Sequence, residues 1–183
     1  MPMTVSKNSI ADQAGFTLVE VLVSALVLAL GLLGLAGLQS NGLQHNHSAY
    51  LRTVATQMAY DLSDRMRANL AGFQNGDYNN PKAVDHNCSW NGSSVAACTV
   101  KQKAEHDMRE WRQLLSDNLP NGAGVVCIDG TPDDGGDNNA NGTVESTEYG
   151  CDNTAGSLYV IKVWWQDERG SNDFKQFILT FNP

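Results

Sequence analysis

Positive charge is scarce in this chain of 183 residues: 12 Lys and Arg stand against 20 Asp and Glu, a formal net charge of −8. Proteins that grip nucleic acid cluster Lys and Arg against phosphate, and no basic patch occurs, so the composition argues against a nucleic-acid partner. None of the four cysteines forms a Cys-x-x-Cys pair, which argues against a zinc site. Proline is absent from Phe16 to Ala71, so nothing in that stretch forbids one very long helix. Charge is absent from Val21 to Leu38, so the helix there would have no polar face. No convincing Ala-x-Ala-like cleavage site follows the apolar run, which argues against a secretory signal peptide removed behind it. A catalytic set is missing too. His45 and His47 fall on the long helix, His86 in a loop and His106 among helical charges, and all four read as surface histidines rather than bases or ligands.

What is present begins with Gly15–Leu38, GFTLVEVLVSALVLALGLLGLAGL. About 20 apolar residues of helix cross a hydrocarbon core roughly 30 Å thick, so this stretch predicts a membrane segment. Glu20 is its one ionisable group. A carboxylate at the edge of an apolar span needs headgroup water or a cationic partner. A free amine at Phe16, created by cleavage after Gly15, would be such a cation on an adjacent copy.

GFTLVE resembles the N-terminal motif of type IV pilins, usually written GFTLIE, with Val19 as a conservative replacement. The resemblance implies that a prepilin peptidase cuts after Gly15 and N-methylates Phe16, and that Glu20 is the assembly glutamate. The chain would then be a substrate of processing enzymes and not itself an enzyme. Removing Met1–Gly15 takes away Lys7 and Asp12 and leaves the charge balance unchanged. Further along, LGLLGLAGLQ and the helix ending carried by Ala59, Tyr60, Asp61, Asp64, Arg65, Met66, Arg67, Ala68 and Asn69 resemble the PilV group of minor pilins. WRQLLSDNLPNG is similar to a Trp-containing helix of that group. The implied partners are prepilin peptidase, other minor pilins, the major pilin and inner-membrane lipid. The implied place is the bacterial inner membrane, single-pass with a periplasmic head, then the pilus after assembly. Two rivals share features of the sequence: a type II secretion pseudopilin, and a membrane-anchored calcium-binding protein that never polymerises.

Beyond the apolar run, Leu51, Val54, Met58, Leu62, Met66 and Leu70 recur at three- and four-residue spacing, with Arg52, Asp61, Asp64, Arg65 and Arg67 between them. That pattern predicts an amphipathic continuation to Ala71, stopped at Gly72. One helix from Phe16 to Ala71 would be about 84 Å long at about 1.5 Å per residue. Gly31, Gly34, Gly37 and Gly42 within it fit either close helix packing in lipid or a segment able to unwind. A second helix carries Ala104, Met108, Trp111, Leu115 and Leu119 on one face and ends at Pro120 and Gly122. Val125–Ile128, Leu158–Gln166 and Phe174–Phe181 read as strands, which puts Trp164 and Trp165 on opposite sheet faces. The expected fold is α+β and type IV pilin-like, with a long N-terminal helix packed by its second half against a small antiparallel-sheet head holding a second helix. The expected divisions are leader 1–15, transmembrane and assembly helix 16–38, periplasmic half of the spine 39–71, and head 72–183.

Cys88, Cys98, Cys127 and Cys151 all lie beyond the apolar run and fit an oxidising compartment. Three pairings are open, and sequential pairing is the expectation because each bridge would close a polar loop. Inside the second bracket, Asp137 to Glu148 (DNNANGTVESTE) satisfies the calcium-loop pattern. Asp137, Asn139 and Asn141 would supply side-chain oxygens, Thr143 its carbonyl, Glu145 a water-mediated contact and Glu148 a bidentate carboxylate. Neither flank reads as helical, so this would be a calcium loop held by a disulfide instead of helices. No cofactor is required by anything else in the sequence.

Overall fold

A computed structural model describes residues 15–88, 97–156, 158–167 and 173–181. The leader residues 1–14 lie outside the described residues. Helix α1, Leu18–Ala68, passes through two compact units, Met1–His45 and Asn46–Pro183. In the first unit every described residue is exposed, as expected of an apolar sequence with no side to hide. The helix runs through all four glycines without a break. Its first turn is capped by Thr17, whose hydroxyl accepts from the Glu20 N–H at 3.3 Å.

In the second unit α1 becomes amphipathic. Leu51, Val54, Ala55, Ala59, Leu62, Ser63 and Met66 are buried on one stripe. The expected uninterrupted helix to Ala71 is corrected at Asn69. There the backbone leaves the helix (φ −113°, ψ 55°), and the side-chain amide donates to the Val100 carbonyl at 2.8 Å and to the Tyr78 hydroxyl at 3.3 Å. A short helix α2, Leu70–Gln74, follows. Gly72 is therefore inside α2 and not at a helix stop. It must be glycine for another reason: a Cβ there would lie 2.6 Å from Asn69 Nδ2.

Helix α3, Val100–Asn118, starts at a capping box in which Thr99 Oγ1 accepts from Gln102 N–H and Gln102 Oε1 accepts from Thr99 N–H. Ala104, Met108, Trp111 and Leu115 are buried against α1, and Trp111 Nε1 donates to the Met58 carbonyl at 2.8 Å. Strands β1 (Ala123–Ile128), β2 (Tyr159–Gln166) and β3 (Phe174–Phe181) form an antiparallel sheet in that order. The register pairs Val125 with Lys162 and Lys162 with Ile178. Every residue of β2 is buried, because both faces of the central strand are covered. Tyr159, Ile161, Val163 and Trp165 meet the helices. Trp164 turns the other way, into a second cluster with Val125, Cys127, Val144 and Tyr149. The architecture is α+β and pilin-like, as the sequence predicts.

Candidate assembly site and the disulfide-closed loop

The N-terminal residues are presented openly. Phe16 is 84% exposed, and Leu18, Val19, Val21, Leu22 and Val23 follow it on every side of the helix. Glu20 sits in the first turn of α1, one turn from Phe16, with Ser24 Oγ donating to its backbone carbonyl at 2.7 Å. By length and composition, α1 is long and apolar enough to cross a membrane. A carboxylate placed one turn inside such a helix can meet an amine at the start of a neighbouring helix while both backbones stay in lipid.

The loop between Cys127 and Cys151 is the second candidate. Disulfides join Cys127 to Cys151 and Cys88 to Cys98. Within the first, the residues of the calcium pattern fold round one another. Asp137 accepts from the N–H groups of Asn141 (3.0 Å) and Gly142 (2.8 Å), and Gly142 takes φ +84° to present its amide. Asn139 Oδ1 also accepts from Asn141 N–H. Asn141 Oδ1 accepts from both the amide and hydroxyl of Thr143, and its own amide donates to Glu145 at 3.1 Å. Glu148 is buried, with one oxygen on the Asn139 N–H (3.1 Å) and the other on the Glu145 N–H (3.0 Å). The loop thus brings Asp137, Asn139, Asn141, Thr143, Glu145 and Glu148 together, yet the oxygens of Asp137, Asn139, Asn141 and Glu148 satisfy backbone amides and that of Glu145 the Asn141 side-chain amide. Among the described residues, no three His, Cys, Asp or Glu side chains converge as a metal-holding group. Val144, apolar in the pattern, inserts into the core beside Trp164.

Two ionic clusters were not foreseen from the sequence. Asp107, wholly buried on α3, receives Tyr78 Oη at 2.6 Å and Lys103 Nζ at 2.9 Å, with Arg65 at 3.8 Å. Arg65 also bonds Asp61 and Glu110, each at 2.8 Å. Burial opposes the Arg65 charge, but these acidic partners outweigh it and raise its pKa. Burial, reinforced by the Asp107 carboxylate, pushes the Tyr78 hydroxyl far up, so it remains a donor. His106, read as a surface histidine, is 1% exposed, with Asp85 at 3.2 Å and Glu110 at 3.1 Å from its two ring nitrogens. The Asp85 carboxyl is held below its usual range, first by the Asn87 amide and then by the Arg109 guanidinium. A faint signal existed: α3 alternates acids and bases at three- and four-residue spacing across from Arg65. The second cluster surrounds Lys162, the lone charge within the strand LYVIKVWWQ.

The family model described as the prokaryotic N-terminal methylation motif matches residues 10–36, a span that includes Gly15, Phe16 and Glu20. No curated protein and no solved structure matches the chain.

Proposed function

From the methylation motif and the long apolar helix, which together support a type IV pilin-like protein, we propose that this chain is a minor pilin of the PilV group. Prepilin peptidase removes Met1–Gly15 and methylates the Phe16 amine. The apolar half of α1, over residues 16–38, holds the subunit in the inner membrane; residues 39–71 complete the spine on the periplasmic side, and 72–183 form the head. Glu20 then pairs with the N-terminal amine of a neighbouring pilin as the subunit enters a priming or tip complex with other minor pilins and the major pilin. The observation that carries this reading is the methylation motif placed at the open start of an exposed apolar helix. The PilV assignment within it is supported by the spine residues Ala59 to Asn69.

Intact and peptide mass spectrometry of the native protein extracted from membranes tests it. The expected start is N-methylated Phe16. An intact Met1, or cleavage beyond Leu38, would sink the proposal. Glu20→Ala should then leave the protein in the membrane and absent from sheared pili. Loss of secretion with pili intact on deleting the chain would assign it instead to type II secretion.

We also propose that the loop from Asp137 to Glu148 takes a calcium ion, with the pattern residues exchanging amide contacts for cation contacts. The buried Glu148, both of whose oxygens face into an acidic loop, favours this. Calorimetric titration of calcium into the metal-free protein should give saturable binding that Glu148→Gln abolishes. No heat, or the same heat in both proteins, would dismiss it.

A further inference from the structure

We propose that the Lys162 ammonium is a built-in cation that fastens both ends of the Cys127–Cys151 segment to the sheet, so that the segment docks without a divalent metal. This inference is independent of the pilin reading and concerns different oxygens from the calcium proposal.

Lys162 lies on the central strand and is 0% exposed. An ammonium removed from water must recover its hydration from protein oxygens, or it does not remain charged. Here five oxygens surround it. Asp129 Oδ2 and Asp134 Oδ1 each lie at 2.6 Å, the carbonyls of Asp134 and Gly150 at 3.1 Å, and that of Tyr149 at 3.2 Å. An ammonium has only three N–H donors, so this is a shell of oxygens round a point charge and not a set of single bonds. Oxygens in such numbers are what hard metal cations collect.

The shell is assembled from the two ends of one segment. Asp129 and Asp134 stand near its start, and Tyr149 and Gly150 precede its closing cysteine. The cation therefore does by charge what the Cys127–Cys151 bridge does covalently. The backbone is fitted to the same arrangement: the Gly136 amide crosses to the Glu148 carbonyl at 3.1 Å. A side chain at Gly150, where φ is +64°, would occupy the place of the Asp134 carboxylate. Asp129 is fully buried, with Oδ1 on the Thr131 N–H at 3.1 Å. Its Oδ2 has, among the described residues, no hydrogen bond and only the ion pair with Lys162. Without the ammonium that carboxylate would be a buried charge with no counter-ion, and the segment would have to open to water.

Hydrogen exchange read by mass spectrometry on the oxidised full chain in detergent tests this. In wild type, fragments spanning 129–136 and 145–151 should be protected, and a chelator should leave 129–136 unchanged. Lys162→Met should speed exchange in both fragments about tenfold or more, while fragments from α1 and α3 keep their protection. Unchanged exchange in Lys162→Met would overturn the proposal, as would loss of protection at 129–136 when wild type meets chelator. Should Lys162→Met fail to fold, Asp134→Asn serves, because Asp134 is half exposed and contributes one of the two carboxylates. Its exchange should rise severalfold at 129–136, where the Asp134 and Gly136 amides are hydrogen-bonded, and no rise there would equally overturn the proposal.

Discussion

The two faces of the sheet are closed in different ways. On one face, Tyr159, Ile161, Val163 and Trp165 meet two helices whose stripes contribute Leu51, Leu62, Met66, Met108, Trp111 and Leu115. Backbone polar groups are satisfied inside the helices, so burial of apolar surface holds that face together. On the other face, Trp164 stacks on Tyr149 at 5.6 Å, with Val125, Val144 and Cys127 as further buried apolar neighbours. An irregular segment covers this face, and its amides need individual partners, which Asp137, Asn139, Asn141 and Glu148 provide. It is then fastened by a disulfide and an enclosed ammonium. A face without a helix is closed by specific bonds because it has too little apolar surface to be closed by burial.

The contrast can be broken most severely at Trp111. Trp111→Ala removes a wholly buried indole of the helix face together with its hydrogen bond to the Met58 carbonyl, which keeps its helical donor. The expected loss is about 4 kcal/mol in a denaturant titration of the detergent-solubilised protein. A loss under about 1 kcal/mol would mean that this face is not held by burial.

The next effect belongs to the loop face. Replacing Cys127 and Cys151 together by Ser should cost about 3 kcal/mol by the chain-entropy argument. The difference between the faces predicts that near-ultraviolet circular dichroism from Trp164 and Tyr149 changes before the helical signal does. Simultaneous loss of both signals would show that the faces are one cooperative unit.

A smaller effect is expected where the helix face begins. Asn69→Ala removes the side-chain amide that donates to the Val100 carbonyl and the Tyr78 hydroxyl and should cost about 1 kcal/mol. It also makes room for a side chain at residue 72, so Gly72→Ala should be harmful alone and milder in the double variant. Strict additivity of the two melting-temperature shifts would refute that coupling.

The smallest effect is a pH dependence. Asp152 accepts from the Gly130 and Thr154 amides, each at 2.9 Å, and these contacts, Gly130 first, hold its carboxyl below the usual range. A carboxyl depressed in the folded state stabilises the fold above its unfolded pKa, and that contribution is lost as pH falls through its folded value. Wild type should therefore melt slightly higher than Asp152→Asn at neutral pH, with the two curves converging below about pH 4. Parallel melting curves across the range would remove Asp152 from the fastening of this face.

Local sequence was enough wherever the cause was local. The apolar run from Val21, the buried stripe from Leu51 to Met66, the face of α3 and the alternation that sends Trp164 and Trp165 to opposite sides are periodicities, visible in the order of residues. The methylation motif is likewise a contiguous word. The break at Asn69 is different, because it depends on Tyr78 and on Val100, which approaches only after the chain has folded back. His106 is buried because Asp85 arrives over α3, and nothing in the helix itself announces that. Lys162 reads as an ordinary polar interruption of a strand until Asp129, Asp134, Tyr149 and Gly150 are placed around it. The sequence by itself determined the two long helices, the strands and the processing motif, though not the break before α2, since hydrophobic period and contiguous motifs act over a few residues. Only the tertiary structure decided which polar groups became buried and which partner each received, because an ion or a hydrogen bond is settled by distance in space and not along the chain.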